Sequence, residues 1–344
     1  MVDHRKSRRP NEKKQRMTKK QETPYQYAIE DCDVTDKKLL AEFRARRLVW
    51  LDWLEKDECH AIWPEISSAL WNDVAFRTFA KMAEDFPASA LHNSLLTEAL
   101  IRGYFSGQVL TIRRLMDKRK DVISLRRVLG EIKDNLHLFT RENYVAHDGL
   151  PYDYEEVERQ TLLAHLNSGP FWADRTGPNA SIPAKMRHQT FDWLCELQGQ
   201  TRNRSDCLSQ NILITLEQWL DGCGADEIVT WSHKMLAHAA DEASRGRADL
   251  QSINPNLQKI TEVHKAFVCV AEALANFVLC DSGHGMVVPV PQFNQFEKLE
   301  GAVLETTQMQ PLRDFWHALS KERDGWIGDT EAMLKKPASG TMAA

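Results

Sequence analysis

Lys234 and His238 have the types and spacing to do chemistry. An imidazole titrates near neutral pH, so His238 suits a general base. Lys234, four residues earlier, lies on the same helical face and would place a cation beside it. A base and a cation together are what metal-free RNA cleavage needs. In that reaction a 2′-hydroxyl attacks the adjacent phosphate, and negative charge develops on the phosphorane. Lysine lacks the bidentate fork with which arginine would hold that phosphate. The bland alternative is that His238 only hydrogen-bonds a carbonyl inside a helical core.

The element that must hold these groups is a helix. Ile228, Trp231, Met235 and Ala239 recur at the three-to-four-residue spacing of one apolar face, with His238 at its margin. His233 and His238, five residues apart, sit about 140° from each other around such a helix and cannot share a metal. A second pair, Arg141 and His147, has an arginine and a histidine separated by five residues, in Arg141-Glu142-Asn143-Tyr144-Val145-Ala146-His147. There is no phosphate-binding Gly-x-x-x-x-Gly-Lys loop, no dinucleotide fingerprint, no Gly-x-Ser-x-Gly elbow and no His-Glu-x-x-His. Neither a metal nor a cofactor is expected.

The run Lys-x-x-Ala-His-x-x-Asp, spelled by Lys234, Ala237, His238 and Asp241, resembles the end of the motif of the HEPN superfamily, in its branch related to bacterial abortive-infection proteins. Trp71-Asn72-Asp73-Val74, Thr111-Ile112-Arg113-Arg114-Leu115-Met116-Asp117 and Ser124-Leu125-Arg126-Arg127-Val128-Leu129 resemble the helices that precede that motif. The likeness covers residues 60–135 and 208–280. It implies an all-α helical bundle, commonly a homodimer. It also implies a metal-independent ribonuclease built on an arginine–histidine pair, in a phage-defence or toxin–antitoxin setting with an antitoxin-like protein as partner. Ser232 stands where an active member places its arginine. The alternative is therefore a catalytically inactive scaffold that dimerises and binds a protein or RNA.

Composition bounds these readings. With 344 residues, 42% hydrophobic, and ten tryptophans, the chain can build a sizeable core. The net charge of −5 hides an asymmetry: the first 24 residues carry nine Lys/Arg against three Asp/Glu, so the tail is +6 and the remainder −11. Seven cysteines without a Cys-x-x-Cys pair fit a reducing compartment. No run reaches the roughly 18 apolar residues of a membrane helix, and no apolar stretch follows the basic start to make a signal peptide. A soluble cytoplasmic protein with no membrane partner is expected.

Six segments follow. Residues 1–30 form a disordered basic tail. Residues 31–135 hold the N-terminal helices of the bundle. In the first, Thr35 is the expected N-cap and Arg44, Arg46 and Arg47 a solvated face. Pro64 opens the second, and Phe86-Pro87 ends it. The third spans about Ala90 to Lys118, with Gly103 and Gly107 packed closely on a neighbour. Ser124 caps the fourth. Residues 136–206, broken by prolines and glycines, are an irregular insert carrying helical pieces and the aromatics Tyr144, Tyr152, Tyr154, Phe171 and Trp172. Residues 207–282 hold the motif helix and a long final bundle helix with His264 in a core slot. Residues 283–334 are a C-terminal extension: an extended Gly285–Pro291 stretch, then a helical pair over Phe296–Met309 and Leu312–Arg323. Residues 335–344 are a disordered tail. The densest basic patch is Arg113, Arg114, Lys118, Arg119, Lys120, Arg126 and Arg127, suited either to an RNA backbone or to pairing with the acids of the −11 body.

Overall fold

The structure is a computed structural model that describes residues 25–92, 94–165, 173–197, 199–232, 256–297 and 306–335. Expectations for the two tails, for Phe171 and Trp172 and for Lys234, His238 and Asp241 therefore fall wholly or largely outside the described residues. The fold is all-α. Eleven α-helices are described: α1 (Lys37–Leu51), α2 (Ile62–Asp85), α3 (Ser94–Leu115), α4 (Leu125–Asp134), α5 (Arg141–Ala146), α6 (Tyr154–His165), α7 (Ser181–Leu194), α8 (Gln210–Gly222), α9 (Ala225–Ser232), α10 (Leu257–Glu272) and α11 (Met309–Lys335). Among the described residues the only β pairing is an isolated antiparallel bridge between Thr140 and Cys207. No described helix is long and apolar enough to cross a membrane.

Helix α10 is the centre of the bundle. Ile260, Val263, Ala266, Phe267, Val268 and Val270 point in several directions around it and are all buried, the mark of a helix enclosed on every side. Helices α2, α4, α8 and α11 pack around it. His264 fills a core slot as expected. Its Nε2 lies 2.8 Å from Gln108 Oε1, while Gln108 Nε2 donates to the Ala69 carbonyl at 2.9 Å. That second bond fixes the amide, so His264 must carry its proton on Nε2. Burial pushes the His264 pKa down to about 4, with Asp73 opposing, and the ring is neutral at pH 7.

Local signals explain most helix starts. The Ser124 side chain accepts from the backbone N–H of Arg127 at 3.1 Å, and behind it Leu125, Val128, Leu129 and Ile132 of α4 form the buried stripe that their spacing predicts. The N-cap of α1 is Asp36, not Thr35. Asp36 Oδ1 accepts from the N–H groups of Lys38 and Leu39, each at 2.9 Å. Thr35 is displaced because Glu142 takes both its N–H, at 2.8 Å, and its hydroxyl, at 2.5 Å.

Arg44 and Arg47 of α1 are buried rather than solvated; only Arg46 is exposed. Their donors satisfy backbone carbonyls that the fold would otherwise strand. Arg44 Nε donates to His147 O at 2.6 Å and Nη1 to Tyr27 O at 3.0 Å. Arg47 Nε donates to Leu279 O at 2.6 Å and Nη2 to Cys280 O at 3.1 Å. Those last two carbonyls follow a wide i→i+5 turn at Ala273–Val278 that ends α10, and Tyr144 of α5 bonds the Phe277 carbonyl in the same turn at 2.5 Å. The 136–206 segment contributes Tyr144, Val145, Phe139 and Phe191 to the same hydrophobic core as the bundle helices. It is joined to the bundle from within.

Of the helical pair expected in the C-terminal extension, Phe296 lies in a turn and residues 298–305 fall outside the described residues, while the second helix, α11, starts at Met309 and runs 27 residues to Lys335 instead of ending near Arg323. The preceding stretch is clipped down by His284, whose Nδ1 is 2.9 Å from Glu272 and whose Nε2 is 3.0 Å from Glu55, with the ring stacked on Trp63 at 3.6 Å between centroids. Near the other end of the described chain, Tyr27 occupies a slot between Gly149 (φ +95°) and Gly177 (φ +81°). A Cβ on Gly149 would stand 2.4 Å from its ring, and one on Gly177 2.1 Å from its hydroxyl.

Candidate interaction surface

Helices α2 and α3 leave an open groove of about 530 Å³ between them. Phe76 and Phe79 wall one side, Leu100 and Leu110 the other, and Tyr104 and Gln108 reach its floor. The floor is rigid because it is tied to a buried charge network. Asp73, fully buried, accepts from the Tyr104 hydroxyl at 2.6 Å, from Arg77 Nε at 2.9 Å and from Arg323 Nη2 at 2.9 Å. Burial raises the Asp73 pKa, but His264, Arg77, Tyr104 and Arg323 outweigh it and hold the carboxyl below its ordinary range. Burial and the Asp73 charge push the Tyr104 hydroxyl far above its ordinary value, so it stays a donor. The ring of Tyr104 stacks on Phe76 at 4.0 Å.

Gly103 and Gly107 line this groove, and a Cβ added at either would meet nothing within 4 Å. The expectation that these glycines are closely packed on a neighbouring element is not met among the described residues, where their face is open. Mid-helix glycine costs about 1 kcal/mol relative to alanine, and no described contact offsets that cost. Leu110 on the same wall is 55% exposed, and Leu96 and Ile101 also lie at the α3 surface.

Of the residues expected to do chemistry, Ser232, Arg141 and His147 are among those described. Ser232 is buried at the end of α9, where its hydroxyl donates to the Val229 carbonyl at 2.7 Å; α9 packs on α3. Lys234, His238 and Asp241 lie outside the described residues. Arg141 is fully buried, pairs with Asp192 at 2.6 Å and Asp206 at 3.2 Å, and sits 4.5 Å over the Phe191 ring. His147 is also buried, with Nδ1 at 3.2 Å from the carbonyls of both Asn143 and Tyr144 and its ring against Phe43. Burial, with Arg187 and Arg47 adding to it against Asp148, pushes the His147 pKa well below the ordinary imidazole value. Arg141 and His147 thus occupy opposite ends of α5, in separate networks, and no hydrogen bond or ion pair joins them.

The basic patch is largely compensated. Arg114 pairs with Glu65 at 3.1 Å, Arg119 with Asp117 at 3.0 Å and Arg127 with Glu131 at 3.1 Å, while Arg126 bonds Asp221. Arg127 also lies 3.9 Å over the Trp53 ring. Lys118, Arg119 and Lys120 are exposed on the α3–α4 connection, and Arg113 is half-buried. Asp73, Tyr104 and Arg323 were not singled out from sequence as a buried network; their separation along the chain gives no local signal.

No family model matches the chain, and no curated protein and no solved structure matches it either.

Proposed function

We propose that the chain is a helical scaffold that pairs with a second copy of itself through the α2/α3 groove. The observation that carries this reading is the open face at Gly103 and Gly107. The groove residues of α3 are arranged symmetrically about Phe105: Leu100 and Leu110 lie five residues to either side, Gly103 and Gly107 two. A two-fold axis at Phe105 sets Leu100 of one copy against Leu110 of the other and brings the two glycine faces together, where backbones can approach closely. Self-complementarity of this kind is what an isologous interface requires.

Sedimentation of the purified chain against Gly107→Leu tests the pairing. The wild type is expected to be dimeric and the variant, its groove blocked, monomeric with unchanged helix content. A monomeric wild type at tens of micromolar would remove this reading.

RNA cleavage is the second reading, supported by the sequence of Lys234, His238 and Asp241 and by the packing of α9, the helix just before them, on groove helix α3. In it His238 acts as base and Lys234 as the cation, with the exposed Lys118, Arg119 and Lys120 steering an RNA backbone. Labelled RNA incubated with wild type and His238→Ala separates the two. Cleavage lost in the variant favours the nuclease, and no cleavage by either leaves the scaffold.

A further inference from the structure

The segment 282–286, which follows α10 and its wide final turn, is held to the bundle through one residue. Among the described residues, the hydrogen bonds of this segment all come from His284. Its N–H donates to Glu272 at 3.2 Å, its Nδ1 lies 2.9 Å from the same carboxylate, and its Nε2 lies 3.0 Å from Glu55. Glu272 belongs to α10, and Glu55 to the wide turn Asp52–Lys56 that continues α1. The ring covers Trp63 of α2, with 3.6 Å between centroids and 21° between planes. Ser282, Gly283, Gly285 and Met286 are exposed. The two ends of the segment are fixed independently of the histidine. Asp281 donates its N–H to the Ala275 carbonyl at 2.9 Å, and its carboxylate lies 3.6 Å from Arg47. Val287, fully buried, donates its N–H to Asp324 of α11 at 3.0 Å. Glycines on both sides of His284 give the short span between these anchors the backbone freedom to swing.

Two carboxylates facing the two ring nitrogens require an imidazolium. Those carboxylates, from α10 and from the turn after α1, are the charged groups that face the ring; α2 adds the apolar face of Trp63. Burial opposes the charge on the ring, but Glu272 and Glu55 outweigh it and raise the His284 pKa to about 9. Once a proton leaves, one nitrogen turns a lone pair towards the carboxylate it had bonded. Glu272 then suffers most. It is 2% exposed, and Asn276 Nδ2, at 3.2 Å, is the side-chain donor left to it. A buried carboxylate that loses its counter-ion is strongly destabilised until water reaches it. Lifting residues 282–286 lets water in and leaves both anchors and the helices behind them in place.

We propose that residues 282–286 form a proton-held flap over Glu272 and Trp63, closed while His284 is an imidazolium and swung open, with the bundle still folded, once the ring is neutral. Amide hydrogen exchange on the full chain, read by mass spectrometry at pH 7, 8, 9 and 10 and normalised to intrinsic rates, tests this. Peptides spanning His284 should lose protection by about tenfold or more as pH rises through the titration, while peptides from α10 and α11 keep theirs. Glu55→Gln removes one of the two charges that favour the imidazolium and leaves the Glu272 bonds, so opening should move to lower pH. His284→Gln should be open throughout, with an unchanged circular dichroism spectrum. Four results would overturn the proposal: flap protection constant from pH 7 to 10, loss of protection shared with α10 and α11, a Glu55→Gln profile coincident with the wild type, or a protected flap in His284→Gln.

Discussion

The clip at His284 makes a prediction whose sign and size both follow from geometry. Carboxylates only accept, so an imidazole held 2.9 Å from Glu272 and 3.0 Å from Glu55 must carry protons on both nitrogens. Burial works against that charge, but the bonds and charges of Glu272 and Glu55 outweigh it and raise the His284 pKa to about 9. The folded value lies above the unfolded one of about 6.5. The stabilisation is therefore fully present below about pH 6.5 and is lost as pH rises through about 9. Taken at face value the interval corresponds to about 3 kcal/mol. The side chain keeps 17% exposure, and solvent screening reduces the expected figure to about 2 kcal/mol. The assay is urea unfolding of wild type and His284→Gln at pH 6, 8 and 10. Groups titrating in both proteins cancel in the difference. Wild type should exceed the variant by about 2 kcal/mol at pH 6 and by much less at pH 10. A difference that stays constant across that range would refute the imidazolium clip.

The open glycine face predicts that Gly103→Ala and Gly107→Ala each stabilise the isolated monomer by about 0.5–1 kcal/mol in denaturant unfolding while loosening self-association in sedimentation. Tyr104→Phe, which removes one of the donors to buried Asp73, should cost about 1–2 kcal/mol in the same assay. Arg323→Met should cost about 3 kcal/mol, because Asp73 then keeps Arg77 as its remaining ion-pair partner. Gly177→Ala should displace Tyr27 from its slot, read as increased proteolytic cleavage near residue 27.

Helices with a local start signal and one clear apolar stripe were legible before the structure. Ser124 with α4, and His264 within α10, fall where spacing places them. The misreadings share a cause in long-range partners. Arg44 and Arg47 look like a solvated patch until the carbonyls of His147, Leu279 and Cys280 arrive from 103, 232 and 233 residues away. Thr35 looks like a cap until Glu142 claims it. The Asp73 network draws Tyr104 from 31 residues away and Arg323 from 250, so no window of sequence contains it. Gly103 and Gly107 read from sequence as packed on a neighbour, yet no described residue covers them, because whether a face is covered depends on what packs there from elsewhere in the chain.

Because α10 lies at the middle of the bundle yet begins at residue 257, a ribosome making this chain must complete about three quarters of it before the centre exists. Until then α2, α4 and α8 have no central helix against which to bury their apolar faces, and they emerge as sticky, incomplete walls. The nascent chain should therefore depend on chaperones over most of its synthesis, and fragments ending before α10 should aggregate rather than fold.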